Sequence, residues 1–389
     1  MLGRGVPTPA APSDAARALL WTAAVERRQG SRAARLRALV GARSRSYRDH
    51  GRVVAAHPLP PERVDLARRL LVDRWSGQSL LDDPVTGSET ARSRADVVLL
   101  GARRSSAQFR FRSFYLHPEP GQATTLVAQQ RREPGQESPL LNGARVQRRA
   151  RGRIPFVVPR VLAAGTVAEG LGEGVTADWA LEELVDATVV PARENEQVVA
   201  EVLELLGEGW SRLGTRHVPL RASQRAAALA GFAGLSSDTS GQVWPEELDR
   251  THLAARVRRV LADPRPMTMG LSHGDPGVGN LLRTGDGRLV LLDWEFAGHR
   301  HLTHDVAKVL RSSPDPVAST VRTTAPPGLT AAMAAAGALP WNAQVAVSLL
   351  VFLAYWRDRH ERAVARGLGE RSARGLRTMV QMVDVLLDV

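Results

Sequence analysis

Three oxygen-bearing side chains stand out by type and spacing. In LSHGDPGVGNLLRTGDGRLVLLDWE, Leu271–Glu295, an aspartate follows a His-Gly pair at Asp275. An asparagine comes five residues later at Asn280, and a second aspartate thirteen beyond that at Asp293. Two short apolar runs, Asn280–Arg283 and Arg288–Leu292, flank Thr-Gly-Asp-Gly, a strong hairpin turn signal. The start of one strand and the end of the next lie at the same end of an antiparallel hairpin, so Asn280 and Asp293 should converge. Asp275 sits in the loop leading in, compacted by Gly274, Gly277 and Gly279. Hard oxygen ligands of this kind suit magnesium, which takes one or two protein groups together with phosphate oxygens. The remaining aspartate can accept a proton from an attacking hydroxyl, the division of labour in phosphoryl transfer. The spacing predicts a metal-phosphate mouth with a base beside it.

The elements that would position this mouth follow from the rest of the chain. ADVVLLG, AQFRFRSFYL and ATTLVAQQ, beginning at Ala95, Ala107 and Ala123, are rich in β-branched and aromatic residues and read as strands. A helix is expected over Ser138–Arg149, then two strands in VVPRVLAAGTVA and VTADWALEELV. This makes a small, mostly antiparallel sheet with one helix. Beyond Asp186, apolar residues at Val198, Val202, Leu205, Leu206 and Leu213 mark an amphipathic helix. Further helices are expected over 221–233, 246–262, 342–364 and 368–388. Helical spacing over 12–40 and 61–75 makes residues 1–93 a helical extension. The expected organisation is an α+β, bilobed chain: the extension 1–93, a sheet lobe 94–186 and a helical lobe 187–389.

Bulk composition narrows the function classes. Without cysteine among 389 residues there are no disulfides, thiolate metal sites or cysteine nucleophiles. No signal-peptide core is visible at the start, which sets the expectation of a cytoplasmic protein. The longest apolar run, Val345–Trp356, is too short for a bilayer and reads as a buried helix, so no membrane partner is expected. The net charge is +12, and every basic residue but Lys308 is an arginine. Those arginines are dispersed and lack interleaved aromatics for stacking bases, so no nucleic-acid partner is expected.

His273-Gly274-Asp275 with Asn280, followed by Leu292-Asp293-Trp294-Glu295, resembles the paired motifs of the aminoglycoside phosphotransferase and choline kinase family. The resemblance implies a protein-kinase-like fold, with a small antiparallel-sheet N-lobe and a larger helical C-lobe. It implies transfer of the γ-phosphate of ATP or GTP, with Mg2+, to a hydroxyl of a small polar metabolite. Aminoglycosides, amino sugars, amino alcohols and related natural products are the acceptors it suggests. Asp275 becomes the catalytic base, with His273 beside it in the catalytic set. Asn280 and Asp293 become metal ligands, Glu295 a helper near the metal, and Asp305 a structural residue holding the loop or capping the next helix. Leu181, Glu183 and Val185 fall where the family's hinge strand meets the adenine.

The chain also departs from the pattern. Kinases of this type hold the phosphates with a lysine on the third sheet strand, paired to a helix glutamate. Here that position falls on Gln129 or Gln130, and Lys308 lies far downstream. Arg110 and Arg112 on the second strand, or Arg131 after the glutamines, are candidate replacements. The gap leaves a second expectation, a pseudokinase scaffold, and a peptide serine or threonine is an alternative acceptor. The late helices carry Asp358, Glu361, Glu370, Asp384 and Asp388 among many arginines, so a cationic acceptor is not demanded. Trp341 and Trp356 are candidates to line an acceptor pocket. His299, His301 and His304 lack a fourth zinc ligand and read as a loop.

Overall fold

The computed structural model describes residues 53–56, 97–100, 110–115, 123–130, 138–167, 176–191, 194–238, 242–365 and 367–388. The helices expected over 12–40 and 61–75 lie outside the described residues. The chain divides into two compact units, Met1–Arg148 with Pro159–Val189 and Arg283–Val290, and Arg149–Val158 with Val190–Leu282 and Leu291–Val389. One change of unit falls after Val189, and the tip of the motif hairpin groups with the sheet.

The first unit is built on a six-stranded antiparallel sheet. Its strands are β1 (Val53–Ala56), β2 (Val97–Leu100), β3 (Arg110–Tyr115), β4 (Thr124–Gln130), β5 (Val161–Val167) and β6 (Ala177–Glu183). They lie in the order β1-β2-β3-β4-β6-β5. Five of these match the expected strands. β1 is an addition within the block read as helical. Helix α1 (Pro139–Ala150) packs Leu140 and Ala144 onto Val127, Val161 and Ala180. Because side chains alternate across a strand, Gln129 lies on the same face as Val127. Register places Gln129 opposite Arg110 on one side and Asp178 on the other.

A short strand β7 (Ala187–Val189) joins a three-stranded sheet with β10 (Leu281–Thr284) and β11 (Leu289–Leu291). The last two are the motif hairpin. Thr284 donates its N–H to the Arg288 carbonyl at 3.0 Å, and Gly287 takes φ 86°, as the expected turn requires.

The second unit contains α2 (Asn195–Leu213), α3 (Ala222–Ser236) and α4 (Arg250–Ala262) ahead of the motif. After it come α5 (Thr303–Leu310), α6 (Pro316–Val321), α7 (Pro327–Ala335), α8 (Trp341–Leu353), α9 (Trp356–Val364) and α10 (Gly369–Leu387). A second three-stranded sheet orders β12 (Gly298–His301), β9 (Met267–Ser272) and β8 (Arg216–Val218). The sequences of β8 and β12, RHV and GHRH, carry no strand period. They become strands only by pairing with the apolar β9.

Helix α8 is buried nearly all round, which accounts for the continuous apolar run. No described helix is long and apolar enough to cross a membrane. The helix expected over 342–364 breaks at Ala354–Tyr355 into α8 and α9. At the break Ala354 presses on Gly231, where an added Cβ would lie 2.6 Å from the Ala354 α-carbon. Trp356 then donates its indole N–H to the Gly231 carbonyl at 2.9 Å. Trp356 is therefore a lock between helices, rather than the pocket wall expected of it.

Gln344 on α8 anchors β9. Its Oε1 accepts from the Thr268 N–H at 2.7 Å and its Nε2 donates to the Leu339 carbonyl at 2.7 Å, with no solvent exposure. Replacing it by an isosteric apolar residue would strand one donor and one acceptor in the core. Gln344→Met should cost about 2–4 kcal/mol in equilibrium urea unfolding; a loss within measurement error would refute the anchor.

Candidate active site

The site begins where β9 ends. Trp210 on α2 donates its indole N–H to the Leu271 carbonyl at 3.1 Å, fixing the end of the strand. Beyond Ser272 the chain wraps around one carboxylate. Asp305, fully buried on α5, accepts from the Ser272 hydroxyl at 2.8 Å, the His273 N–H at 2.7 Å and the Gly274 N–H at 2.8 Å. Burial pushes its carboxyl up to about 6, opposed by those three donors. This is the loop-holding position that the motif resemblance implied. Gly274 takes φ 85°, and a Cβ there would collide with the Phe296 carbonyl, so the loop admits only glycine at this point.

Asp275 projects from the pinned loop, about one-third exposed. Asn280 donates its side-chain N–H to the Asp275 carbonyl at 2.8 Å and reaches Asp275 Oδ2 at 3.5 Å. On the hairpin, the Leu292 N–H donates to the Asn280 carbonyl at 3.0 Å, which sets Asn280 against the residue before Asp293. Asp275 and Asn280 thus touch directly, and the hairpin pairs Asn280 with Leu292, the neighbour of Asp293. Asp293 takes φ 66°, ψ 60°, the only non-glycine with positive φ among the described residues. That conformation costs an L-residue about 1–2 kcal/mol and turns the chain sharply out of β11.

His273 is 3% exposed, edge-on to Trp294 at 4.7 Å between ring centroids, and its Nδ1 accepts from the Asp275 N–H at 3.3 Å. Burial lowers its pKa to about 4, so the ring is neutral. It lies behind the loop. Glu295, in a single helical turn Trp294–Phe296, is also buried, at 6% exposure. The hard-oxygen pair Asn280 and Asp293 fits a magnesium ion that keeps waters and phosphate oxygens as its other ligands. Among the described residues no group of three or more His, Cys, Asp or Glu is placed to hold a metal.

One functional neighbour was missed in the sequence. Lys308, the sole lysine, reaches Asp275 Oδ1 at 3.0 Å. Its singularity was visible; its position depends on how α5 docks. Lysine and aspartate are both about 30% exposed, at 28% and 34%, and such pairs are worth only about 0.2–1 kcal/mol. The contact exchanges easily. His304, one turn earlier, has its Nε2 at 3.2 Å from the Gly274 carbonyl and stacks on Phe352 at 4.6 Å. Burial, with Arg300 and Lys308 nearby, lowers its pKa to about 4, so it is the neutral Nε2–H form that donates.

The sheet candidates fall in the other unit. Gln129 is 7% exposed, and α1 carries no acidic residue, so both members of the usual lysine–glutamate pair are missing from their elements. Arg112 is engaged with Glu182 at 3.4 Å. Arg110 and Gln130 are placed by register only, opposite Gln129 and Ala177. Leu181 and Glu183 lie on the face opposite to Gln129. Glu183 also gives its N–H to the Arg160 carbonyl at 2.9 Å, whereas Val185 lies past the paired strand.

Two features of the late helices can be placed. Asp384 and Asp388 are both engaged by Arg256. Trp341 does line a cavity of about 980 Å³, with Trp210, Val306 and Arg322, but none of Asp275, Asn280 and Asp293 lines it. Val306 and Lys308 are about 200° apart around α5, so the cavity and Asp275 occupy opposite faces of that helix.

The model of the phosphotransferase enzyme family matches residues 101–340, more than half of the chain. The chain belongs to this family. Its α+β architecture, an antiparallel sheet unit followed by a helical unit, is the protein-kinase-like fold expected from the motifs. Among solved structures, the apo form of a thermostable mutant of aminoglycoside phosphotransferase APH(4)-Ia matches at 13% identity and TM-score 0.41, over 74% of this chain and 94% of that one. Amicoumacin kinase hAmiN matches at 12% and 0.41, over 72% and 87%. A choline/ethanolamine kinase family protein from Mesorhizobium loti matches at 14% and 0.38, over 75% and 92%. No curated protein matches the chain by sequence.

Two outcomes test this architecture. Asp305→Asn would point an amide N–H at one of three donors and should cost about 2–4 kcal/mol of stability in chemical denaturation; an unchanged midpoint would show that the pin is dispensable. Acid should also destabilise the fold. His273 and His304 titrate near 4 when folded and near 6.5 when unfolded, so their contribution is present above pH 6.5 and lost as pH falls toward 4. Asp305, raised to about 6, acts in the opposite sense. Two groups against one give a net loss, on the order of 3 kcal/mol, read as a falling melting midpoint between pH 7 and 4.5. His304→Gln should flatten that fall, and an equally steep profile would count against it.

Proposed function

We propose that the chain moves the γ-phosphoryl group of ATP or GTP, with magnesium, to a hydroxyl of a small polar molecule. The observation that carries this reading is the pair of bonds that gather the motif residues: the Leu292 N–H to the Asn280 carbonyl, and the Asn280 side chain to Asp275. A magnesium ion held by Asn280 and Asp293 would supply charge neutralisation at the phosphates. Asp275 stands within reach of the same point and accepts the acceptor's proton. The acceptor oxygen bonds to the γ-phosphorus, the bond from that phosphorus to the bridging oxygen breaks, and the nucleoside diphosphate leaves. His273 serves as a positioning residue through its bond from the Asp275 N–H. Glu295 backs the Asp293 turn from its buried site.

In the sheet unit, Leu181, Glu183 and Val185 remain the candidates for the adenine, Val185 lying past the end of β6. Gln129 can donate hydrogen bonds but brings no charge. The absence of charge at Gln129 and of acidic residues on α1 is a specific observation favouring the scaffold reading, in which nucleotide binds weakly and is not turned over.

A nucleotide-consumption screen over hydroxyl acceptors separates the two. Asp275→Asn should lower kcat by about a thousandfold while leaving the melting midpoint and nucleotide affinity intact. Asp293→Ala should remove the magnesium-dependent part of nucleotide binding. A purified parent protein with no affinity for nucleotide in the presence of magnesium would overturn the enzyme reading in favour of the scaffold.

A further inference from the structure

We propose that the acceptor carries an anionic group, a phosphate or a carboxylate, that docks against Lys308, Arg311 and Arg359 beside Asp275. The proposal rests on the phosphotransferase reading and narrows its substrate class. His304, Lys308 and Arg311 are spaced i, i+4, i+7 and form one stripe along α5 and its C-cap. All three meet Phe352 of α8, with Lys308 Nζ and the Arg311 guanidinium carbon each 5.4 Å from the ring centroid. From α9, Arg359 donates to the Phe352 carbonyl at 3.3 Å. Three cations are thereby collected around one aromatic residue.

The charge there is not balanced from within. Lys308 has Asp275, but among the described residues no carboxylate forms an ion pair with Arg311 or Arg359. Asp384 and Asp388 are held by Arg256, and Asp358 and Glu361 are exposed on α9. Burial and neighbouring cations lower the pKa of both arginines, Arg311 through its surroundings and Arg359, opposed by Asp275, and Arg359 through its surroundings and Arg362. Both remain exposed to solvent despite that crowding. An arginine fork offers paired N–H donors matched to phosphate or carboxylate oxygens.

Asp275 shows which reactant meets these cations. Its Oδ2 faces Asn280, on the side read as metal and nucleotide, while its Oδ1 faces Lys308 and the late helices. A group bound at Lys308, Arg311 and Arg359 therefore approaches Asp275 from the side away from Asn280, where the acceptor hydroxyl must lie. On binding, the anion takes Lys308 from Asp275 and leaves that carboxylate to accept the hydroxyl's proton. A cationic acceptor would meet repulsion at the same place.

The first arm of the test titrates inorganic phosphate into the full-length protein by calorimetry, in EDTA, with chloride as a matched ionic-strength control. Phosphate should bind, and Arg311→Gln/Arg359→Gln should weaken it by about tenfold or more. Arg359→Gln alone, at an exposed position, guards against misfolding and should give a smaller loss with the parent's melting midpoint. Binding that persists in the double variant, or appears only with metal, would overturn the proposal. The second arm compares matched hydroxyl compounds with and without a phosphate or carboxylate. The anionic member should be preferred, and the double variant should raise its KM about tenfold with kcat little changed. Preference for the uncharged or cationic member would overturn it. Phosphate binding that depends on the arginines, with no turnover of any acceptor, would sink the phosphotransferase reading and leave the anion site standing.

Discussion

Asp305 has no exposure to solvent, and a carboxylate so placed is tolerable only because three donors converge on it. Those donors are the last residue of β9 and the first two of the loop that carries Asp275. The bonds that stabilise the buried charge are therefore the same bonds that fix the loop. Gly274 follows from this constraint, since the chain must bend tightly enough to present consecutive N–H groups to one carboxylate while passing the Phe296 carbonyl. The position of α5 follows too. Once Asp305 is engaged, the helix has one rotation about its axis, and Lys308 and Val306 must fall on opposite sides.

From that rotation come the electrostatics of the site. The carboxylate of Asp275 is divided between two neighbours, an amide from the hairpin and an ammonium from α5. A partly exposed ion pair of this kind contributes little to stability, so its value lies in the direction it gives the carboxylate and in its ease of exchange. The hairpin contributes the other half. Its backbone bond from Leu292 to Asn280 brings an amide and a carboxylate to one end, and the left-handed turn at Asp293 sharply redirects the chain after β11.

Much of this was legible in the residues. The turn residues Thr284–Gly287 fix which ends of the hairpin meet, and that alone pairs Asn280 with Leu292. The β-branched and aromatic runs of β3, β4 and β6 and the buried character of α8 were also local properties. β8 and β12 were not, because each exists only as a partner to β9. The break between α8 and α9 was equally hidden: it depends on Gly231, more than a hundred residues earlier, which lets the Ala354 backbone approach. Asp384 and Asp388 look available as acidic residues in the sequence, but Arg256, distant in the chain, holds them both.

By itself, the sequence determined the kind of chemistry, because residue type and short spacing fix which groups a hairpin and its leading loop can bring to one point. It determined too that Gln129 cannot supply the charge of a lysine. Only the tertiary structure decided where the chain's sole lysine goes, since its distance from Asp275 depends on the docking of α5 against β9 through Asp305. It also decided that the cations of α5 and α9 share one aromatic residue. Contacts between helices distant in the chain are set by packing, and no local pattern encodes them.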